Sequence, residues 1–373
     1  MLAHQDDTGA FRSRTYSAFK DGFSLTPLLL TSLRFAPPAP ELERAYARGV
    51  DFLATLVTPS ADDDADVALA YPSYPVYAIA GALLVLNVPK NARHRSVRDR
   101  LIGALRARQF TEDTGWAPAD GSYGAWGYYP GIPHKRATAD DPALSGNLSA
   151  TLFAIGALRL AGVPVDDPTL AKARQFVERC QNYPVSTSDG SASEPGKRDA
   201  DGGFYFSPAL PDGNKAGPVS GVADRYRSYG SMTADGLRAL IRLGLPIDHP
   251  RVRAATAWLH RRYSARRNPG DFPEDRVIRQ ESAYFYYAWS SAHALRAIGA
   301  RQLTTDAGDL DWPVALADEL LSRQRPDGSW ANPYSEMRED DPLLATAFAM
   351  AGLTIARTVL REEYRSHSSQ APD

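Results

Sequence analysis

Six segments of the chain repeat one pattern, and this repetition limits the fold more than any other feature. They are TPLLLTSL, VYAIAGAL, TLFAIGAL, TADGLRAL, AWSSAHAL and TAFAMAGL, closing on Leu33, Leu83, Leu158, Leu240, Leu295 and Leu353. Seven residues before each leucine stand Thr26, Val76, Thr151, Thr233, Ala288 and Thr346. The intervals are irregular, so the chain reads as equivalent units with insertions of variable length. Each segment is small and apolar around most of its circumference, which predicts a buried helix. More charged stretches follow at 41–57, 96–109, 169–181, 251–263 and 313–325. Their apolar residues recur at helical spacing, so these helices are amphipathic and face solvent. Asp167-Pro168 and His249-Pro250 sit where a cap and a first-turn proline belong. Strand signals are weak, with only short aromatic runs such as 204–206 reading as extended.

The expectation is therefore an all-α fold, a single α/α toroid of about six helical hairpins with inner and outer rings. Open solenoids are the alternative. The toroid domain is placed at 23–367, with an N-terminal extension at 1–22 and a disordered tail at 368–373. The last unit reads as one long helix from Pro342 to about His367, with no outer helix after it; residues 1–22 or a segment outside this sequence are the candidates for that place.

Composition removes several function classes. The chain has 373 residues, 43% hydrophobic and 23% charged, with a net charge of −2. This is a globular composition, with no basic excess to attract nucleic acid. No apolar run approaches the ~18–20 residues of a membrane span, the longest candidate being 77–88. The one cysteine, Cys180, rules out an internal disulfide framework and any multi-cysteine metal site. A cytoplasmic protein is expected, and the N-terminus does not read as an export signal.

A turn recurs after several outer helices. Its best copy is Gln324-Arg325-Pro326-Asp327-Gly328-Ser329-Trp330; Gln181 with Asp201-Gly202-Gly203-Phe204 is a second, and Gln109 with Gly115-Trp116 a looser third. In this Gln…Gly-x-Trp pattern the sequence resembles the terpene cyclase and prenyltransferase superfamily, the squalene–hopene cyclase and prenyltransferase β-subunit repeats. The resemblance spans roughly residues 24–360 and implies an α/α toroid around a central apolar cavity. Gln324 and Trp330 are read as structural, tying one outer helix to the next.

The resemblance also implies places for catalytic groups. Squalene–hopene-type cyclases carry Asp-x-Asp-Asp at the start of an inner helix, eleven, nine and eight residues before the leucine used here. No unit holds a carboxylate at those offsets; the fifth holds Tyr284, Tyr286 and Tyr287. Protonating an alkene requires a strong, hydrogen-bond-activated acid, so ordinary class II cyclisation is disfavoured. The zinc of protein prenyltransferases needs Asp, Cys and His, and Cys180 lacks that context, so no metal and no cofactor are expected.

Helical geometry gives a second route to the site. Offsets −9, −5 and −2 from each leucine share the face opposite the outer helices. That face carries Tyr74 in unit two, Phe153 in unit three, Asp235 and Arg238 in unit four, and Tyr286, Ser290 and His293 in unit five. Asp235 and His293 are the catalytic candidates, His293 because imidazole moves protons near neutral pH. An Asp235–Arg238 ion pair fixing helix packing is the competing reading. Tyr74, Phe153, Arg238, Tyr286, Trp289 and Ser290 are the ligand-binding candidates, because an aromatic wall suits an isoprenoid chain or a cation. Asp340 and Asp341 precede the last inner helix; they are candidate acids, or Asp341 caps the helix before Pro342. Asp62, Asp63, Asp64 and Asp66 contain the Asp-Asp-x-x-Asp spacing but read as a solvated loop.

Three functions remain open. One is a squalene/terpene cyclase-like or prenyltransferase-like protein holding an isoprenoid ligand, peripheral membrane contact being compatible with it. Another is a non-catalytic toroid that binds a hydrophobic ligand or a protein. The third is a carbohydrate-active hydrolase or lyase using Asp199, Asp201 or Glu281.

Overall fold

The computed structural model describes residues 2–57, 72–136, 141–184, 200–221 and 225–368, with side chains described to residue 362. The Asp62–Asp66 cluster, Asp199 and residues 369–373 lie outside them. The chain is all-α as expected: twelve α-helices among the described residues, and one two-stranded sheet. It divides into two compact units.

The first unit is Met1–Cys180 with Phe206–Gly213 and Arg242–Gly244. It holds α1 (Leu25–Leu33), α2 (Pro40–Ala54), α3 (Pro75–Leu86), α4 (Arg95–Arg106), α5 (Leu148–Leu160) and α6 (Pro168–Arg179). The apolar helices α1, α3 and α5 pack in sequence, and α2, α4 and α6 each pack on the apolar helix before them. The closing leucines Leu33, Leu83 and Leu158 are buried, while Leu28, Thr31, Tyr77 and Phe153 form a less buried stripe. The Asn147 side chain accepts from Ala150 N and caps α5; Asp167 accepts from Thr169 N and caps α6, with Pro168 in the first turn.

The second unit is Gln181–Tyr205, Asn214–Ile241 and Leu245–Asp373. It holds most of α7 (Gly230–Arg242), then α8 (Pro250–Arg262), α9 (Val277–Glu281), α10 (Tyr284–Ala297), α11 (Trp312–Ser322) and α12 (Pro342–Ser368). The α12 helix packs along α10 and α11. Its stretch Pro342–Glu362 is long and apolar enough to cross a membrane by length and composition, which corrects the expectation that no run approaches that length. More than half of that stretch is buried against the neighbouring helices, so it is a core helix here. The hairpin of β1 (Gln302–Thr305) and β2 (Gly308–Asp311) was not anticipated. Gly308, at φ +114°, turns it, and Leu303 is its buried anchor.

The recurring threonines have a common task. Thr26, Thr151, Thr233 and Thr346 accept through Oγ1 from the backbone N–H of Phe11, Trp126, Phe204 and Trp330, at 2.9, 3.2, 3.0 and 3.1 Å. Each aromatic residue stands two places after a glycine of positive φ: Gly9, Gly124, Gly202 and Gly328. The Gln5, Gln109, Gln181 and Gln324 Nε2 groups donate to the carbonyls of those glycines at 2.9 to 3.0 Å. Gln5, Gln109 and Gln181 also donate to Ala45, Thr169 and Arg251, in or at the start of the next outer helix. This clasp corrects two points. Gln109 pairs with Gly124-Ala125-Trp126, whereas Trp116 stacks on Phe110. A fourth copy, Gln5 to Phe11, lies within residues 1–22. The glycine is required on steric grounds as well, since a Cβ on Gly124 would stand 2.0 Å from Lys172 O. Gly328 meets no such backbone, and no outer helix follows α12 among the described residues.

Candidate functional site

In the second unit, three apolar helices bring most of the expected site residues together. The α7 helix is buried from Gly230 to Leu240 although it carries Asp235 and Arg238. On α10, Tyr286, Trp289 and His293 are half-buried at spacings of three and four, so they share one face. From α12, Phe348 meets the Tyr286 ring at 5.5 Å and the Trp289 ring at 5.4 Å; Trp289 meets His293 at 5.3 Å.

Set into this wall is a polar cluster. The Tyr286 hydroxyl donates to Asp235 Oδ2 at 2.6 Å, and the Ser290 hydroxyl donates to Asp235 Oδ1. Ser290 in turn accepts from Arg238 Nη1 at 2.9 Å. Arg238 Nη1 lies 3.6 Å from Asp235 Oδ1, an ion pair rather than a hydrogen bond, and its guanidinium stands 4.5 Å over the Trp289 ring. Asp235 has no exposure and Arg238 is 4% exposed. The expected ion pair therefore exists, but neutral hydroxyls hold the carboxylate more closely than the guanidinium does.

Sequence reasoning passed over the residue beside it. Glu339 is buried and accepts from the backbone N–H groups of Phe285 at 2.9 Å and Tyr286 at 2.7 Å, in the first turn of α10. Asn332 Nδ2 donates to it at 3.2 Å. Burial raises its pKa from 4.5 to about 7 against the pull of these bonds and of Lys215. Lys215 is half-buried; desolvation lowers its pKa to about 8, with Glu339 and Asp235 both acting to raise it. Glu339 was visible only as one of three acids before Pro342, and nothing in the sequence pointed to Lys215. Thus Tyr286, whose position matches one of the missing aspartates, is held by carboxylates at both ends: Glu339 on its backbone and Asp235 on its hydroxyl.

The other candidates fall elsewhere. Asp341 is buried and caps α12, accepting from Leu343 N at 2.9 Å, while Asp340 is half-buried beside it. Among the described residues the buried acids are Asp235, Glu339 and Asp341. Tyr74 and Phe153 lie in the first unit, joined through Tyr77 at ring distances of 6.2 and 4.9 Å, with Tyr128 also against Tyr74. Tyr284 and Tyr287 turn from the wall and donate to Ala265 O and Ser264 O, both at 2.9 Å. Asp201 accepts from Ser228 and the Trp258 indole and so belongs to a turn. No three His, Cys, Asp or Glu residues among the described residues come together to hold a metal.

No protein-family model matches the sequence, and no curated protein is significantly similar to it. Solved structures are similar. One is a variant of the type II terpene cyclase MstE from Scytonema with its product merosterolic acid A; it is 12% identical at TM-score 0.53, over 96% of this chain and 94% of that one. A second MstE variant, with its substrate geranylgeranyl dihydroxybenzoate, is 11% identical at TM-score 0.52, over 96% and 94%. The chain has a terpene cyclase-like fold. The Lin0763 protein from Listeria innocua shares it, at 11% identity and TM-score 0.50, over 94% of this chain and 87% of that one. At such identities the likeness is one of backbone architecture, and the chemistry has to be argued from this chain's own side chains.

Proposed function

We propose that this protein binds an isoprenoid chain against the Tyr286–Trp289–Phe348 wall and that Asp235 and His293 are the groups there able to move protons. The observation that carries this reading is a buried carboxylate, engaged by two hydroxyls, set beside a wall of packed aromatic rings. Aromatic faces hold a branched hydrocarbon by dispersion and hold a carbocation by its attraction to the ring quadrupole. The fold supports the same reading, because MstE binds an isoprenoid substrate and product on it. No carboxylate occupies the Asp-x-Asp-Asp offsets, so a reaction here would draw on Asp235 and His293 in place of that motif.

The test is mass spectrometry of an organic extract of the purified protein, followed by titration of its tryptophan fluorescence with squalene and geranylgeraniol. A co-purifying terpenoid, or saturable quenching at micromolar concentration, is the expected result. A clean extract together with no quenching by either compound refutes the reading. Product analysis with Asp235→Asn then separates binding from catalysis: a catalytic carboxylate loses turnover while quenching persists, whereas a packing carboxylate changes neither.

A further inference from the structure

Arg238 has more hydrogen-bonding capacity than its surroundings use. A guanidinium carries five N–H donors. One, on Nη1, goes to Ser290 Oγ. Asp235 takes none, because its Oδ1 stands 3.6 Å from Nη1. Among the described residues the buried Nε has no acceptor. A guanidinium that is 4% exposed yet largely unsatisfied is expensive, and such groups usually meet an acceptor from outside the chain.

We propose that Arg238 recognises a carboxylate head group on the isoprenoid ligand, through the edge formed by Nε and Nη2. That edge presents two parallel N–H groups at the separation of two carboxylate oxygens. Stacking on Trp289 and the bond to Ser290 hold the guanidinium plane, so the fork is pre-organised. Trp289 is half-buried and touches both the guanidinium and Phe348, so the charge lies against the wall proposed for the hydrocarbon. A diphosphate is the poorer fit: it carries more charge than one fork neutralises, and no metal-holding group of acids stands among the described residues. An alcohol offers one oxygen and no charge. The chain-binding part of this proposal rests on the function proposed above; the head-group part does not.

The experiment compares three ligands with the same twenty-carbon chain by fluorescence quenching: geranylgeranoic acid, geranylgeraniol and geranylgeranyl diphosphate. Fluorobenzoate, observed by fluorine NMR, probes the head-group site without a chain. The acid should bind about tenfold or more tighter than the alcohol and the diphosphate. Arg238→Lys and Arg238→Met should reduce that preference to less than about threefold. The wild-type ligand series needs no variant, so it stands even if Arg238→Met fails to fold. Equal affinity for acid and alcohol, a preference for the diphosphate, or an acid preference that survives in Arg238→Met overturns the proposal. Fluorobenzoate binding that depends on Arg238, with no isoprenoid bound, upholds the head-group site and refutes the isoprenoid reading. No binding by any probe refutes both.

Discussion

Replacing Glu339 with glutamine should stabilise the protein above neutral pH, although it removes a charge that accepts three hydrogen bonds. The carboxyl is 1% exposed, and burial raises its pKa from 4.5 to about 7. A carboxyl with a native pKa above its unfolded value binds its proton more tightly in the folded state. Its stabilising contribution is therefore complete below about pH 4.5 and is lost as the pH rises through about 7. The interval corresponds to about 3 kcal/mol. Glutamine mimics the protonated acid, with one oxygen to accept and one group to donate, and it does not titrate. Urea unfolding of both proteins from pH 5 to pH 8 provides the assay. Near pH 5 the two should be similar, and by pH 8 the variant should be more stable by up to about 3 kcal/mol. Taking the difference between the two proteins cancels the other groups that titrate in this range. A variant less stable than wild type at pH 8 would show that the bonds from Phe285, Tyr286 and Asn332 outweigh desolvation, and that this carboxyl is not raised. Glu339→Ala should destabilise at every pH, because it leaves the Phe285 and Tyr286 N–H groups without an acceptor.

Four further outcomes are expected. Trp330→Ala should lower stability by about 3–5 kcal/mol, since it empties a ring site that is 3% exposed and removes the indole bond to Leu320 O; lost ligand binding with unchanged melting would contradict that structural role. Thr151→Val keeps the shape but leaves the Trp126 N–H without its acceptor, and should cost about 1–3 kcal/mol in urea unfolding. Gly124→Ala should prevent folding or lower the melting temperature sharply, because φ is +83° and the new Cβ would meet Lys172 O at 2.0 Å. Tyr286→Phe removes the hydroxyl bond to Asp235 and should cost about 1–2 kcal/mol, read by urea unfolding at constant pH.

The helices were legible because their signals are local. The α3 segment is apolar on every side and has Pro75 at its first turn, which leaves little besides a buried helix. The clasp was only partly legible. Its glutamine and aromatic ends are joined by loops of different length, so Gln109 was matched to the nearer Gly115-Trp116 when the fold uses Gly124-Trp126. Distance along the chain carries no information about which glycine can take a positive φ against the next helix. The Gln5 copy was overlooked for a related reason: it precedes the first repeat instead of following an outer helix.

The site divides along the same line. Asp235, Arg238, Tyr286 and Ser290 could be found because two helices at helical spacing display them on facing stripes, and period alone places them. Glu339 and Lys215 lie in loops, where no period exists; Glu339 is marked by its burial against α10 and Lys215 by the charges of Glu339 and Asp235 acting on it. This explains how the polar cluster can occupy a fold that lacks the acidic motif. Tyr286 stands where the motif would place a carboxylate, yet carboxylates reach it from α7 and from the turn before α12. Tyr286 meets one buried acid through its hydroxyl and another through its backbone N–H, so the charge sits on the neighbouring elements. The consequence is specific: Asp235→Asn should change the environment of the Tyr286 hydroxyl, and Glu339→Gln that of its backbone N–H. The two effects reach one residue along separate bonds. A double variant whose stability change equals the sum of the singles would show that α10 transmits nothing between them; a difference beyond ~0.5 kcal/mol would show that Tyr286 couples the two acids.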